Sequence, residues 1–481
     1  MINKEKVVSS FLWRFFERIG AQGVNLIVSI VLARILTPND YGQIAIVTVL
    51  IAILNVFVDS GFGNALVQKK DADVLDFSSV FWFNIVWCLV LYLFIFLIAP
   101  SFASFYDCLE LIPVIRVLGL QLIVSGVKNV QLAFVSRNMQ FKKFFFSTLG
   151  GTLGAAGVGI VLAYRGFGVW ALVAQQLFNV LVDTTILWIT VEWRPKLIFS
   201  FARLKGLFSF GWKLLISSLI ETTYMEIRQL IIGKKYTADS LAFYNRGDQF
   251  PKFFVGNVNN AIDSVLLPTM SKEQDDKERL KSMTRRSIKI SVYIMAPLLM
   301  GLAFVGEPFI RLLLTEKWLP CVPFMRIFCI TYMFFPIHTA NLNAIKAMGR
   351  SDLYLKLEIV KKIVGLIALF LTMNISVMAM AYSLLVTEVL CQIINTWPNK
   401  KLLDYPYLEQ LKDILPSIAL ASIMGACVYL IDKLGFPDII TLTIQIITGA
   451  AIYVGGSKLL RIDSYDYVLG IAKAILRKDK K

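Results

Sequence analysis

Fourteen largely apolar runs, most of about twenty residues, recur along this 481-residue chain, and that recurrence decides which solvent the chain folds in before any motif is read. A helix needs about twenty apolar residues to cross the hydrocarbon core of a bilayer, and the run from Val80 to Ala99 is the clearest case. A membrane β-barrel would instead show alternating segments of about ten residues. The reading is therefore helical, with approximate spans at 11–36, 41–58, 80–99, 111–135, 147–164, 168–191, 207–232, 241–267, 287–305, 323–345, 358–373, 376–396, 414–431 and 438–456. Composition agrees: 57% of residues are hydrophobic and 17% charged, against roughly 25% charged in soluble chains.

The formal net charge of +16 raises the question of a nucleic-acid partner. The cations lie between the spans rather than in one patch, which excludes that reading. Allocated to alternate sides of the membrane, 35 of the 49 Lys and Arg residues fall on the side of the N-terminus and seven on the other, with seven more inside spans. The positive-inside rule then predicts both termini in the cytoplasm and an even number of spans, the first being an uncleaved helix. The longest loop is predicted at about 268–286, too short for a soluble domain.

An internal repeat is legible at three places. Phe11-Leu12-Trp13-Arg14 matches Phe210-Gly211-Trp212-Lys213, Thr37-Pro38-Asn39-Asp40 matches Thr237-Ala238-Asp239-Ser240, and Ile112-Pro113-Val114-Ile115-Arg116 matches Val322-Pro323-Phe324-Met325-Arg326, all offset by about 200 residues. The expected organisation is an all-α polytopic protein of two six-helix bundles related by a pseudo-two-fold, residues 1–200 and 201–400, with two further spans and a cytoplasmic tail in 401–481. Parallel repeats of this kind are a transporter architecture, with substrate bound between the halves.

Ionisable side chains at bilayer depth are costly unless they meet a partner or a wet cavity, so their helical phase carries information. Arg18, Gln22 and Asn25 share one face of the first span; Ser217, Glu221, Tyr224 and Arg228 repeat that spacing in the seventh, with Glu226 to one side. Asn245, Gln249, Lys252, Gly256, Asn259 and Asp263 continue a face of the eighth, where Arg246 also lies, and Lys128 sits mid-way along the fourth. Several inward cations favour an anionic substrate group. The competing reading of Glu221 with Arg228, or of Arg246 with Asp248, is a buried pair that holds helices together. Arg116 and Arg326 stand near span ends, where snorkelling to the interface accounts for them.

Other signals are weaker. Asp71-Ala72-Asp73 has the form of a sugar-transferase motif but reads as a solvated loop; Gly150, Gly151, Gly154, Gly157 and Gly159 read as close helix packing. The six cysteines are scattered as core residues, and the single histidine, His338, cannot build a multi-histidine metal site and reads as a packed polar residue. No metal or cofactor is expected.

The segments LTPNDYG at 36–42, DSGFGNALVQ at 59–68, YNRGDQFPKF at 244–253, LLPTMSKEQDD at 266–276 and Gly349-Arg350 resemble those of the polysaccharide-transporter flippases, especially the colanic-acid exporter type, over nearly the whole chain. The resemblance implies membership of the multidrug, oligosaccharidyl-lipid and polysaccharide exporter superfamily. It also implies a non-enzymatic function: moving an undecaprenyl-pyrophosphate-linked oligosaccharide repeat unit across the bacterial cytoplasmic membrane by alternating access, for surface polysaccharide synthesis. The pyrophosphate would meet Arg18, Arg228, Lys252, Lys128 and Arg246, and the sugars Gln22, Asn25, Tyr224 and Asn259. Glu221, Glu226 and Asp263 would couple transport to H+ or Na+. A polysaccharide polymerase and chain-length machinery are the protein partners such a pathway implies. The alternatives are an ion-coupled drug or organic-cation antiporter of the same superfamily, disfavoured by the excess of cations on the stripes, and a membrane polysaccharide polymerase, disfavoured by the lack of a large extracytoplasmic loop.

Overall fold

A computed structural model describes residues 4–59 and 61–478, with side chains described at Trp13 and from Gly20 onward except at 60, 261, 471, 472 and 474–478. Every regular element among the described residues is helical. Two compact units divide after Ala242. The first contains α1 (Lys4–Ile35), α2 (Pro38–Asp59), α3 (Phe62–Gln68), α4 (Val74–Phe105), α5 (Leu111–Arg137), α6 (Phe141–Tyr164), α7 (Val169–Thr190), α8 (Phe201–Lys235) and the start of α9 (Ala238–Lys272). The second holds the rest of α9, then α10 (Lys277–Phe304), α11 (Gly306–Leu314), a 3-10 turn (Glu316–Cys321), α12 (Val322–Met333) and α13 (Phe335–Ala347). It closes with α14 (Ser351–Thr372), α15 (Val377–Leu402), α16 (Tyr407–Asp432), α17 (Asp438–Leu459) and α18 (Asp463–Lys478).

Each of the fourteen apolar runs lies in helix, the tenth divided between α12 and α13 at Phe334. Ten helical stretches are long and apolar enough to cross a bilayer by length and composition; α8, α9 and α14 do not meet that composition, and the described apolar part of α1 is only Gly20–Ile35. Three of these four are the helices whose sequences carry the polar stripes. Their stripes dilute the apolar surface that a lipid-facing helix needs. The loop predicted at 268–286 is mostly helix instead: α9 runs to Lys272, and Asp276 caps α10 by accepting from the Arg279 N–H at 3.0 Å, leaving four connecting residues.

Local chemistry explains several boundaries. Thr37 and Asp40 exchange hydrogen bonds at the start of α2, and Thr237 with Ser240 does the same at the start of α9, so the sequence repeat is a repeated helix N-terminus. Asp73, the second acid of the transferase-like motif, forms a capping box with Asp76 that opens α4. The N–H donated by Asp76 holds the Asp73 carboxyl below its ordinary value. Gly61 begins α3 at φ +71°, and a Cβ there would lie 2.3 Å from the Gly211 carbonyl oxygen, so α8 crosses this turn at backbone contact. Four of the clustered glycines of α6 approach α7 as expected: a methyl at Gly150, Gly151, Gly154 or Gly159 would come within 3.0 Å of Ile186, Asn179, Phe178 or Gln175. Gly157 faces open space.

The first unit has an aromatic core of Phe62, Phe77, Phe81 and Trp193 with Leu204 and Leu207 of α8. The extended stretch between α7 and α8 is fastened to it. Trp82 Nε1 donates to the Lys196 carbonyl at 2.8 Å, the Lys196 and Ser200 amides donate to Ser78 and Ser79, and Gln131 donates to the Trp193 carbonyl.

In the second unit α10 packs on α12, α13 and α16 around the fully buried Trp318, Met325 and Met295. Pro297 interrupts the α10 ladder and frees the Tyr293 carbonyl, and the Tyr453 hydroxyl of α17 donates to that oxygen at 2.8 Å. Near the end of α10, Arg326 donates to the Ala303 carbonyl at 3.2 Å and pairs with Glu307 at 2.9 Å. Its place is set by an orphan helix-end carbonyl.

Candidate polar sites on α8 and α9

The predicted site residues fall into three groups. On α1, Gln22 and Asn25 are exposed, while the Arg18 side chain lies outside the described residues. On α8, Glu221 is exposed, whereas Tyr224, Glu226 and Arg228 are half-buried. Gln229 donates to Glu226 at 2.6 Å, which occupies the acid that stood off the stripe. In the first unit α1 packs chiefly on α6, and α8 on α2, α3 and α4, so different neighbours support the two stripes.

Lys128 has a partner that the sequence reading did not assign. Its Nζ lies 2.9 Å from Asp183 Oδ2 of α7, with both side chains largely buried. The nearby Asn129 donates to the Val58 carbonyl at the end of α2, so this part of α5 fixes two neighbouring helices.

On α9 the polar face is held by α12 and α13. The Tyr332 hydroxyl donates to Asp248, Thr339 donates to Asn259 at 2.7 Å, and Asn343 donates to Asp263 at 2.8 Å. Lys252 sits one turn beyond Asp248, its Nζ 3.6 Å from that carboxylate, yet its side chain is 73% exposed. Arg246 is different: its residue is 5% exposed, its guanidinium stacks over the buried Trp318 at 4.9 Å, and it donates to Gln249. Asp248 therefore bonds to Lys252 and Tyr332 in place of the Arg246 partner considered from sequence. Lys252 is the cation on this face with a side chain open to a ligand, and such a charge makes strong bonds to a phosphate oxygen.

A second polar cluster went unread. His338 of α13 lies between Glu388 and Asn395 of α15, and Asn341 bonds Asn399 and Gln410 of α16. Asn395 and Asn399 stand one turn apart on α15, a spacing that could have pointed to a shared polar face.

This fold defines a multi-pass, all-α membrane protein with polar faces on α8 and α9. Residues 31–323, more than half the chain, match the family described as polysaccharide biosynthesis proteins, and the chain belongs to that family. It is 25% identical over 66% of its length to the succinoglycan biosynthesis transport protein ExoT of Rhizobium meliloti. That match spans 64% of the relative, less than two thirds of its length. It is 24% identical to the lipopolysaccharide biosynthesis protein WzxC of Escherichia coli over 82% of this chain and 80% of that one. Among solved structures, the lipid II flippase MurJ in an inward closed conformation superposes with a TM-score of 0.75 at 13% identity, covering 95% of this chain and 99% of that one. This last likeness shows the fold.

Proposed function

We propose that this protein is a flippase that carries a lipid-linked oligosaccharide, joined through a pyrophosphate to undecaprenol, from the cytoplasmic to the outer leaflet of a bacterial cytoplasmic membrane. The observation that carries the reading is the exposed Lys252 ammonium on an α9 face of amides and hydroxyls, in a member of a polysaccharide biosynthesis family. The named transport and flippase relatives support the same cargo class.

Lys252 and Arg228 neutralise the pyrophosphate, with Arg18 a third cation. Asn259, Tyr224, Gln22 and Asn25 bond sugar hydroxyls, for which amides and phenols provide both donors and acceptors. Lys128 and Arg246 act from behind, through Asp183 and Trp318. Glu221, Glu226 and Asp263 exchange a coupling proton or Na+, because a positive charge bound in one state only shifts the balance of inward and outward forms. The site is then exposed to each face of the membrane in turn. Both termini stay in the cytoplasm.

Purified protein in vesicles, offered lipid-linked sugar and a fluorescent organic cation in parallel, tests the assignment. Movement of the sugar lipid alone supports it. Movement of the cation alone assigns a drug antiporter instead. In cells lacking the protein, mass spectrometry of accumulated lipid intermediates identifies the repeat unit.

A further inference from the structure

In the second unit a cavity of about 420 Å³ lies between the start of α10 and the start of α18, and none of the cargo residues named above lines it. Arg285, Arg286 and Lys289 of α10 face it, with Asp463, Ser464 and Tyr467 of α18. It sits where α10 changes solvent, because that helix carries its cations up to Lys289 and no charge from Ile290 to Phe304. α17 ends near the same level, since the Tyr293 hydroxyl of α10 donates to Ser457 at 3.1 Å. A helix that turns from charged to apolar enters the hydrocarbon there, which puts the cavity at headgroup depth. From Tyr465 to Leu476 the α18 sequence repeats apolar residues at three- and four-residue spacing, the pattern of a helix that lies along a membrane surface.

The charges around this cavity do not balance. Arg285 pairs with Asp413 at 2.7 Å and with Glu409 at 3.3 Å, Lys281 is 3.9 Å from Glu409, and Lys289 pairs with Asp463 at 2.6 Å. Together with Arg286, these cations outnumber the carboxylates by one. Arg286 is the cation left over: it is exposed, and among the described residues no carboxylate pairs with it. Its guanidinium lies 3.7 Å over the centre of the Tyr467 ring. That contact holds the cation by its face and leaves its N–H groups for an acceptor. Ser282 and Ser464 supply hydroxyls to the same cavity.

One surplus positive charge matches a phosphodiester, which carries one negative charge, and leaves a pyrophosphate partly uncompensated. A zwitterionic headgroup would bring its own ammonium beside Arg285 and Lys289, whereas a glycerol headgroup brings hydroxyls. We infer that this cavity binds the phosphodiester of an anionic membrane phospholipid, with Arg286 on the phosphate oxygens, Tyr467 positioning Arg286, and the bound lipid bridging α10 to α18. The site stands apart from the flippase reading.

The test titrates purified full-length protein in detergent with phosphatidylglycerol, reading the first bound lipid by native mass spectrometry. The parent should hold phosphatidylglycerol more tightly than phosphatidylethanolamine. Arg286→Gln should weaken that binding about tenfold, the worth of one charged hydrogen bond, and Arg286→Lys should recover part of it. Tyr467→Leu, which keeps every charge, should weaken it by less than Arg286→Gln does. Arg279→Gln removes the same charge from the same helix at a residue already paired with Glu273, and should alter binding by less than about threefold. Equal losses in Arg286→Gln and Arg279→Gln, or none in either, overturn the site, because the lipid is then held by overall charge or elsewhere. Displacement of the lipid by an equal concentration of inorganic phosphate or glycerophosphoglycerol assigns the cavity to a soluble phosphate compound and overturns the lipid. Undecaprenyl pyrophosphate that outcompetes phosphatidylglycerol in the parent, and loses that advantage in Arg286→Gln, gives the cavity to the cargo and overturns the phospholipid.

Discussion

Arg116 Nε donates to the carbonyl oxygen of Phe96 at 3.4 Å, and this is the oxygen left without its helical partner by Pro100, four residues on in α4. The guanidinium also lies 4.1 Å from the centre of the Phe96 ring. An Arg that sequence alone assigns to the membrane interface thus repairs a proline gap. Arg116→Ala should lower stability in detergent by about 1 kcal/mol, the net worth of one hydrogen bond. In a Pro100→Ala background, where residue 100 again donates to Phe96, the same change should cost clearly less. Equal losses in thermal unfolding of the two backgrounds would mean that the Phe96 carbonyl does not need the Arg.

Lys128 and Asp183 form an ion pair in the first unit. Removing one charge strands the other, at a cost of about 3–5 kcal/mol for a buried pair. Lys128→Met should therefore deplete the protein from the membrane, and the double change with Asp183→Asn should restore both its level and export. A double variant at full level that does not export would move Lys128 to the substrate.

Lys252→Ala and Arg228→Ala should each reduce export at least tenfold, given the roughly 1.5–3 kcal/mol of a charged hydrogen bond, with normal amounts of protein in the membrane. Arg228→Lys should recover only part, because an ammonium lacks the paired donors of the guanidinium. Export measured as surface polysaccharide per unit of protein decides this, and undiminished export by both alanine variants would detach these cations from the cargo.

Topology offers an independent check. Reporter tags placed in the connection at residues 273–276 and after the C-terminus should report cytoplasm, and tags at 106–110 and 433–437 the exterior. The two sets reporting the same side would break the alternation of charge between spans.

How much of this was legible in the sequence follows from the range of the forces involved. Apolar length is a local property, so every run from 11–36 to 438–456 proved to be helix. The repeat survived reading because it encodes local caps, Thr37 with Asp40 and Thr237 with Ser240. The glycines of α6 announced their packing because only a missing side chain permits that approach to α7. Partnerships were not legible, because they join residues far apart in the chain: Lys128 with Asp183 across 55 positions, Tyr332 with Asp248 across 84, His338 with Glu388 across 50. Short helices such as α3 and α11 also escaped, since seven or nine residues do not make a span. The stripes identified which helices are polar but not which of their charges are already spoken for.

The segment between α7 and α8 has the look of a tether: no regular structure, and apolar side chains in the open, with Leu197 90% exposed. Its backbone nonetheless belongs to α4 and α5, through Ser78, Ser79, Trp82 and Gln131. A protease needs several residues peeled away from their surroundings to reach a bond, and this stretch cannot peel without breaking those attachments. Cleavage there should be slow in the folded protein. Any swing of α8 must consequently either carry α4 along or bend within α8 itself, beyond the turn where Gly211 meets Gly61.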